Sequence, residues 1–182
     1  MRLPGLTGVA TLAWPLLVWL ALRHHVALLL PLALLFLLRG WLLRHQAGPF
    51  NALSQRLALA GAALCLFSLL PGQQHLLLWY PVAVNGALLL LFGSSLFSGM
   101  PLVEQLARLR EPDLPPRAVR YTRRVTQIWC LFFILNGTIA TFTCLHGDMA
   151  LWTLWNGLLS YLLIGLLMAG EWLVRQRIRR AA

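Results

Sequence analysis

The 182-residue chain contains no lysine; its 15 basic residues are all arginine, set against only five acidic ones. Charged residues make up 11% of the chain and hydrophobic residues 59%. That is too little polar surface to cover a soluble globule, so a bilayer is the expected solvent for most of the chain. The three cysteines, Cys65, Cys130 and Cys144, lie in or beside apolar stretches and have no CxxC spacing. They form no paired framework and read as small packing residues. No HxxxH or HExxH spacing, P-loop or paired carboxylates occur, so no catalytic residue, metal or cofactor is expected. No ionisable residue falls at the centre of an apolar stretch, which counts against a proton-coupled pump. The net charge of +10 comes with no nucleic-acid motif, so nucleic acid is not an expected partner.

What is present is an uneven distribution of arginine. Six spans are expected at about 5–22, 26–43, 57–70, 76–97, 125–145 and 149–174. With the N-terminus in the cytoplasm, 14 of the 15 arginines fall inside: Arg2; Arg39, Arg44 and Arg56; Arg108, Arg110, Arg117, Arg120, Arg123 and Arg124; Arg175, Arg177, Arg179 and Arg180. Only Arg23 is left outside. Cytoplasmic loops retain positive charge, and this bias sets orientation. The expected architecture is therefore one all-α transmembrane domain, 1–182, with a basic cytoplasmic loop at 98–124 and a basic tail at 175–182. The N-terminal apolar run has no small-x-small cleavage site before Arg23, so it reads as a first span.

The breaks between spans carry turn chemistry. Arg23-His24-His25 makes a tight outer turn, Gly48-Pro49 breaks an inner loop, and Pro71-Gly72 opens a second outer turn. In the long inner loop, Leu102, Val103, Leu106 and Leu109 form an apolar stripe, while Glu104 and Arg108 are spaced to pair. This predicts an interfacial helix over 101–110, ended by Pro112, Pro115 and Pro116. Trp41, Trp129 and Trp172 fall at inner span ends, and Trp19, Trp79, Trp152 and Trp155 near outer ends, as aromatic belts would place them. There is no internal repeat of the kind that builds many transporters.

Several positions read as helix packing. Ala58 with Ala62, and Gly61 with Cys65, have the small-xxx-small spacing that brings helix backbones close. Asn85, Asn136 and Asn156 fall in spans four, five and six, and Gly137 follows Asn136. Intramembrane amides need partners, so structural links between helices are the first reading and a polar substrate path the second. His24, His25, His75, His146 and Asp148 share the outer turns; solvated interfacial groups are the first reading, and Zn²⁺ ligands that would have to converge in space the second.

Residues 76–174 also carry a resemblance. The pattern comprises Pro101-Leu102, Leu114-Pro115, Trp129 leading into Phe132-Phe133-Ile134, Gly137 with Ala140, and Gly157-Leu158. It resembles the intracellular septation protein A family of small bacterial inner-membrane proteins. The run Arg120-Tyr121-Thr122-Arg123-Arg124-Val125-Thr126, with Trp129 and Phe132-Phe133-x-x-Asn136-Gly137, is similar to uncharacterised membrane proteins from gene clusters for aryl-polyene and related lipid-linked pigments. The resemblance covers a little over half the chain and consists of packing and interface residues. It implies a bacterial inner-membrane protein serving envelope synthesis, division or pigment assembly, with no catalytic residue to carry over. The arginine run here is denser, and the N-terminal hairpin lies outside the resemblance.

Function then centres on Arg117, Arg120, Arg123 and Arg124. Attraction to anionic inner-leaflet lipids is the simplest reading. Docking of an acidic cytosolic protein, such as an acyl carrier protein or soluble synthase, is the second. Together these suggest a non-enzymatic accessory or scaffold protein, possible as a homo-oligomer. The rivals are a small lipid exporter or flippase working as an oligomer, and a membrane enzyme acting on an acyl or polyprenyl substrate.

Overall fold

Proline positions explain several of the helix starts. A proline in a first helical turn loses no hydrogen bond, because the first amides have no partner there. The structure, a computed structural model, describes residues 29–43, 49–70, 74–109 and 111–180. These form helices α1 (Leu29–Leu43), α2 (Pro49–Phe67), α3 (Tyr80–Phe97), α4 (Leu102–Arg108), α5 (Pro116–His146), α6 (Met149–Leu154) and α7 (Ser160–Arg180). Pro81 and Pro116 lie in first turns, and Pro101 is the N-cap of α4. A 3-10 segment, Gln74–Trp79, leads into α3, and a π-helical turn, Trp155–Leu159, joins α6 to α7. No strand occurs among the described residues.

Three helices are long and apolar enough to cross a membrane: His75–Phe97, Pro116–His146 and Met149–Arg177. They are compatible with a membrane protein and correspond to the expected fourth, fifth and sixth spans. Of the expected second and third spans the structure describes α1, Leu29–Leu43, and α2, within which Ala58–Phe67 is a shorter apolar stretch. The expected first span, with Arg2, Arg23, His24 and His25, lies outside the described residues, as do Arg44 and Arg110.

Several boundaries move relative to the sequence reading. α2, Pro49–Phe67, includes residues well before the expected start at 57. α5 begins at Pro116 rather than 125, so the proline taken as the end of the interfacial helix is the start of the next. α4 is limited to Leu102–Arg108, shorter than the expected 101–110.

The chain divides into two compact units, Met1–Val84 with Ala140–Leu158, and Asn85–Ile139 with Leu159–Ala182. In the first, α1 and α2 form a hairpin whose core holds Ala33, Phe36, Ala58, Ala62, Cys65, Leu77, Tyr80 and Trp152. Gly61 is where aromatic side chains close in: a Cβ there would stand 3.2 Å from both Phe36 and Tyr80. Trp152 corrects its sequence assignment. It is 1% exposed, not an interfacial belt residue, and its indole N–H donates to the Leu78 carbonyl at 3.1 Å. The Cys144 thiol donates to the same oxygen at 3.0 Å. Pro81, three residues after Leu78, has no N–H to offer that carbonyl in a 3-10 pattern, which leaves it open to side-chain donors.

In the second unit, Phe92, Trp129, Phe132 and Phe133 form an aromatic cluster, with the Phe92 and Phe133 rings edge to face at 5.2 Å. Trp129 thus packs against rings at the expected inner end of α5. Gly99, at φ +85°, turns the chain from α3 towards α4. The Ser95 hydroxyl secures that turn by accepting from the Leu102 amide at 2.9 Å. Tyr121 on α5 reaches the Glu171 carbonyl on α7 at 3.0 Å.

Candidate functional site

The N-terminal part of α5 gathers the strongest charge. Starting at Pro116 puts Arg117 inside the helix together with Arg120, Arg123 and Arg124. At about 100° per residue, the four share an arc of roughly 120°. Thr122, Val125 and Thr126 occupy the opposite, buried side. All four arginines are exposed. Arg123 makes one long contact, Nη2 donating to the Leu96 carbonyl at 3.5 Å. No acidic partner is recorded for any of the four; the ion pairs found among the described residues are Arg108–Glu104 and Arg175–Glu171. The surface is therefore a one-sided row of guanidinium groups on a rigid helix.

The α4 segment behaves differently from its sequence pattern. Glu104 pairs with Arg108 as the spacing predicts, at 2.8 Å, but the carboxylate lies on the buried side, with Glu104 only 4% exposed. Arg108 also donates to the Pro112 carbonyl at 2.8 Å and so ties down the following loop. Of the expected apolar stripe, Leu102 is buried and Leu106 and Leu109 are exposed. Leu102 and Glu104, two residues apart and so on nearly opposite sides of α4, are both buried.

The asparagines join helices in two separate places. Asn136 Nδ2 donates to Asn85 Oδ1 at 3.0 Å, with both residues buried. Gly137 makes room for this link: a Cβ there would stand 3.2 Å from the Asn85 Cβ. Asn156 instead donates to Thr143 Oγ1 at 3.2 Å and to the Trp152 carbonyl at 3.0 Å. It lies within the π-helical turn, where the widened backbone changes the facing of each side chain. Thr143 had no sequence signal as a partner, because its spacing from Asn156 spans a turn between helices. Thr122, Thr126 and Thr143 return their hydroxyls to carbonyls of their own helix, so their burial leaves no unmet donor.

Of the residues expected on outer turns, His146 and Asp148 serve local structure. Asp148 caps α6 by accepting from the Ala150 and Leu151 amides at 2.8 and 3.2 Å. Gly147, at φ +77°, makes the turn before it, and His146 stacks on Phe142. Among the described residues no group of three or more His, Cys, Asp or Glu side chains is placed to hold a metal ion. The chain matches no family model, no curated protein and no solved structure.

Proposed function

We propose that this chain is a non-enzymatic, multi-pass accessory or scaffold protein of a bacterial inner membrane. The reading takes six spans with both termini cytoplasmic. It serves envelope or lipid-linked pigment synthesis by presenting a basic surface to acidic partners and anionic lipids. The observation that carries it is the exposed arginine arc of α5. That helix has 31 residues, about 46 Å, which exceeds a hydrocarbon core by about 16 Å. The surplus matches the turns bearing Arg117, Arg120, Arg123 and Arg124, so a spanning α5 would hold them beyond the apolar region. The pathway part rests on the family resemblance of residues 76–174. The residues on α5 do not themselves choose between lipid and protein, but arginine chemistry provides a test.

Replacing Arg123 and Arg124 by Lys keeps the charge and removes the planar bidentate fork. The double variant is expected to insert normally and to lose its biosynthetic or envelope function, scored by lipid and pigment analysis beside a deletion strain. Full function in the Lys variant, with a defect when both are Ala, would reduce the role of these residues to charge alone. Accumulation of a lipid precursor on one membrane face in the deletion strain would favour the exporter alternative.

A further inference from the structure

The α1–α2 hairpin carries an open apolar groove of about 550 Å³. Leu34, Leu37, Leu38 and Trp41 line it from α1, and Gln55 and Leu59 from α2. The α1 residues follow the i, i+3, i+4, i+7 pattern of a single helix face. All four are exposed, whereas Ala33 and Phe36 on the other side are buried and Gly40 lines the groove floor. The groove is also polarised along its length. A Cβ on Gly40 would lie 3.3 Å from the Leu59 side chain and 4.0 Å from Ala58, which sets the level of the two antiparallel helices. Gln55, one turn before Leu59, therefore stands near the C-terminal end of α1, while Leu34 stands at the opposite, wholly apolar end. From Leu34 to Trp41, the part of α1 that lines the groove, the rise is about 10 Å.

Charge identifies what fits there. Arg56 follows Gln55 on α2 and is exposed. No Asp or Glu occurs anywhere in residues 1–103, so this end of the chain holds no carboxylate of its own with which to neutralise Arg56. An apolar channel that ends at the Trp41 indole and the Gln55 amide, with the Arg56 guanidinium next along α2, matches an acyl chain with an anionic head. We infer that the α1–α2 groove binds one anionic phospholipid of the inner leaflet, its acyl chain along Leu34, Leu37, Leu38 and Leu59 and its phosphate at Gln55 and Arg56. The site rests on the membrane reading above but is independent of partner docking at α5.

The test places the full chain in phosphatidylcholine vesicles doped with either phosphatidylglycerol or phosphatidylcholine that carries a photoactivatable acyl chain. Labelled positions are mapped by peptide mass spectrometry. Labelling is expected to concentrate on α1 and α2 and to favour phosphatidylglycerol roughly fivefold, the selectivity of one favourable Arg–anion contact. Leu37→Trp, which fills the groove from an exposed position, should abolish that labelling; Leu38→Trp is the second filling variant should the first insert poorly. Arg56→Gln should retain labelling but bring the ratio of the two lipids to about one. Even labelling over the exposed faces of α1, α5 and α7, labelling unaffected by groove filling, or a lipid ratio unmoved by Arg56→Gln would each overturn the site. None of these readouts depends on orientation or on Arg123 and Arg124, so a failure of the scaffold reading leaves this result interpretable.

Discussion

Single residues show how a chain so poor in charge still specifies its contacts. Gly61 is buried between Phe36 and Tyr80, so close that a Cβ would stand only 3.2 Å from each ring. Gly61→Leu must push two aromatic rings aside, and overpacking of this kind costs about 1–3 kcal/mol. The expected result is normal insertion with a lowered melting temperature in detergent; an unchanged melting temperature would remove the close-contact role. Asn85 and Asn136 make the complementary case, where a polar contact rather than a small side chain joins two helices. Amide links between helices in membranes contribute about 0.6–2 kcal/mol. A double-mutant cycle on Asn85→Ala and Asn136→Ala, read as unfolding free energy in detergent, should return a coupling in that range. Strict additivity of the two single changes would show that the bond adds nothing to stability.

At the scale of helices, the sequence was most legible where a long apolar run met a turn residue. α3, α5 and the α6–α7 stretch lie at expected positions because their composition and bounding Gly and Pro residues agree. The small-residue face of α2 was legible for the same reason: Ala58, Gly61, Ala62 and Cys65 share one face, and all four are buried. What was not legible depends on which neighbour wins a given face. Pro116 reads equally well as a stop or a start, and only the packing of Thr122, Val125 and Thr126 extends α5 back to it. The π-helical turn at Trp155–Leu159 has no sequence signature, although it holds Asn156 where it donates to Thr143 Oγ1. Glu104 was read as a paired surface residue, and its burial follows from how α4 settles rather than from its spacing. Asp148 was set among candidate ligands, yet its side chain meets two otherwise unpartnered amides at the start of α6. Asp148→Ala should cost about 1 kcal/mol of stability, while Asp148→Asn should stay close to the parent, because an amide oxygen caps almost as well. Equal losses in the two variants, measured by thermal unfolding, would point to the charge rather than the cap.

For the whole molecule, the decisive quantity is which side of the membrane each loop occupies, and the arginines set the expectation. Six spans with the N-terminus inside leave 14 of the 15 arginines in the cytoplasm and Arg23 alone outside. The three helices of spanning length and apolarity cover the second half of this scheme. Their connections differ sharply in charge. The turn between α5 and α6 holds His146, Gly147 and Asp148, whereas the segment from Arg108 to Arg124 holds six arginines. Translocating that segment would carry six permanently charged guanidinium groups across the core, and placing an arginine at the centre of a membrane helix costs about 2.5–3.5 kcal/mol or more. An inverted arrangement would also expose the arginine arc of α5 away from the anionic lipids that favour it. Reporter fusions after Gln74 and Gly147 are therefore expected to read periplasmic, and fusions after Pro116 and Arg180 cytoplasmic. A periplasmic signal from the Pro116 fusion would overturn both the six-span scheme and the cytoplasmic basic surface built on it. Agreement at Pro116 and Gly147 combined with a cytoplasmic signal at Gln74 would instead keep α5 in place and change the number of crossings before it.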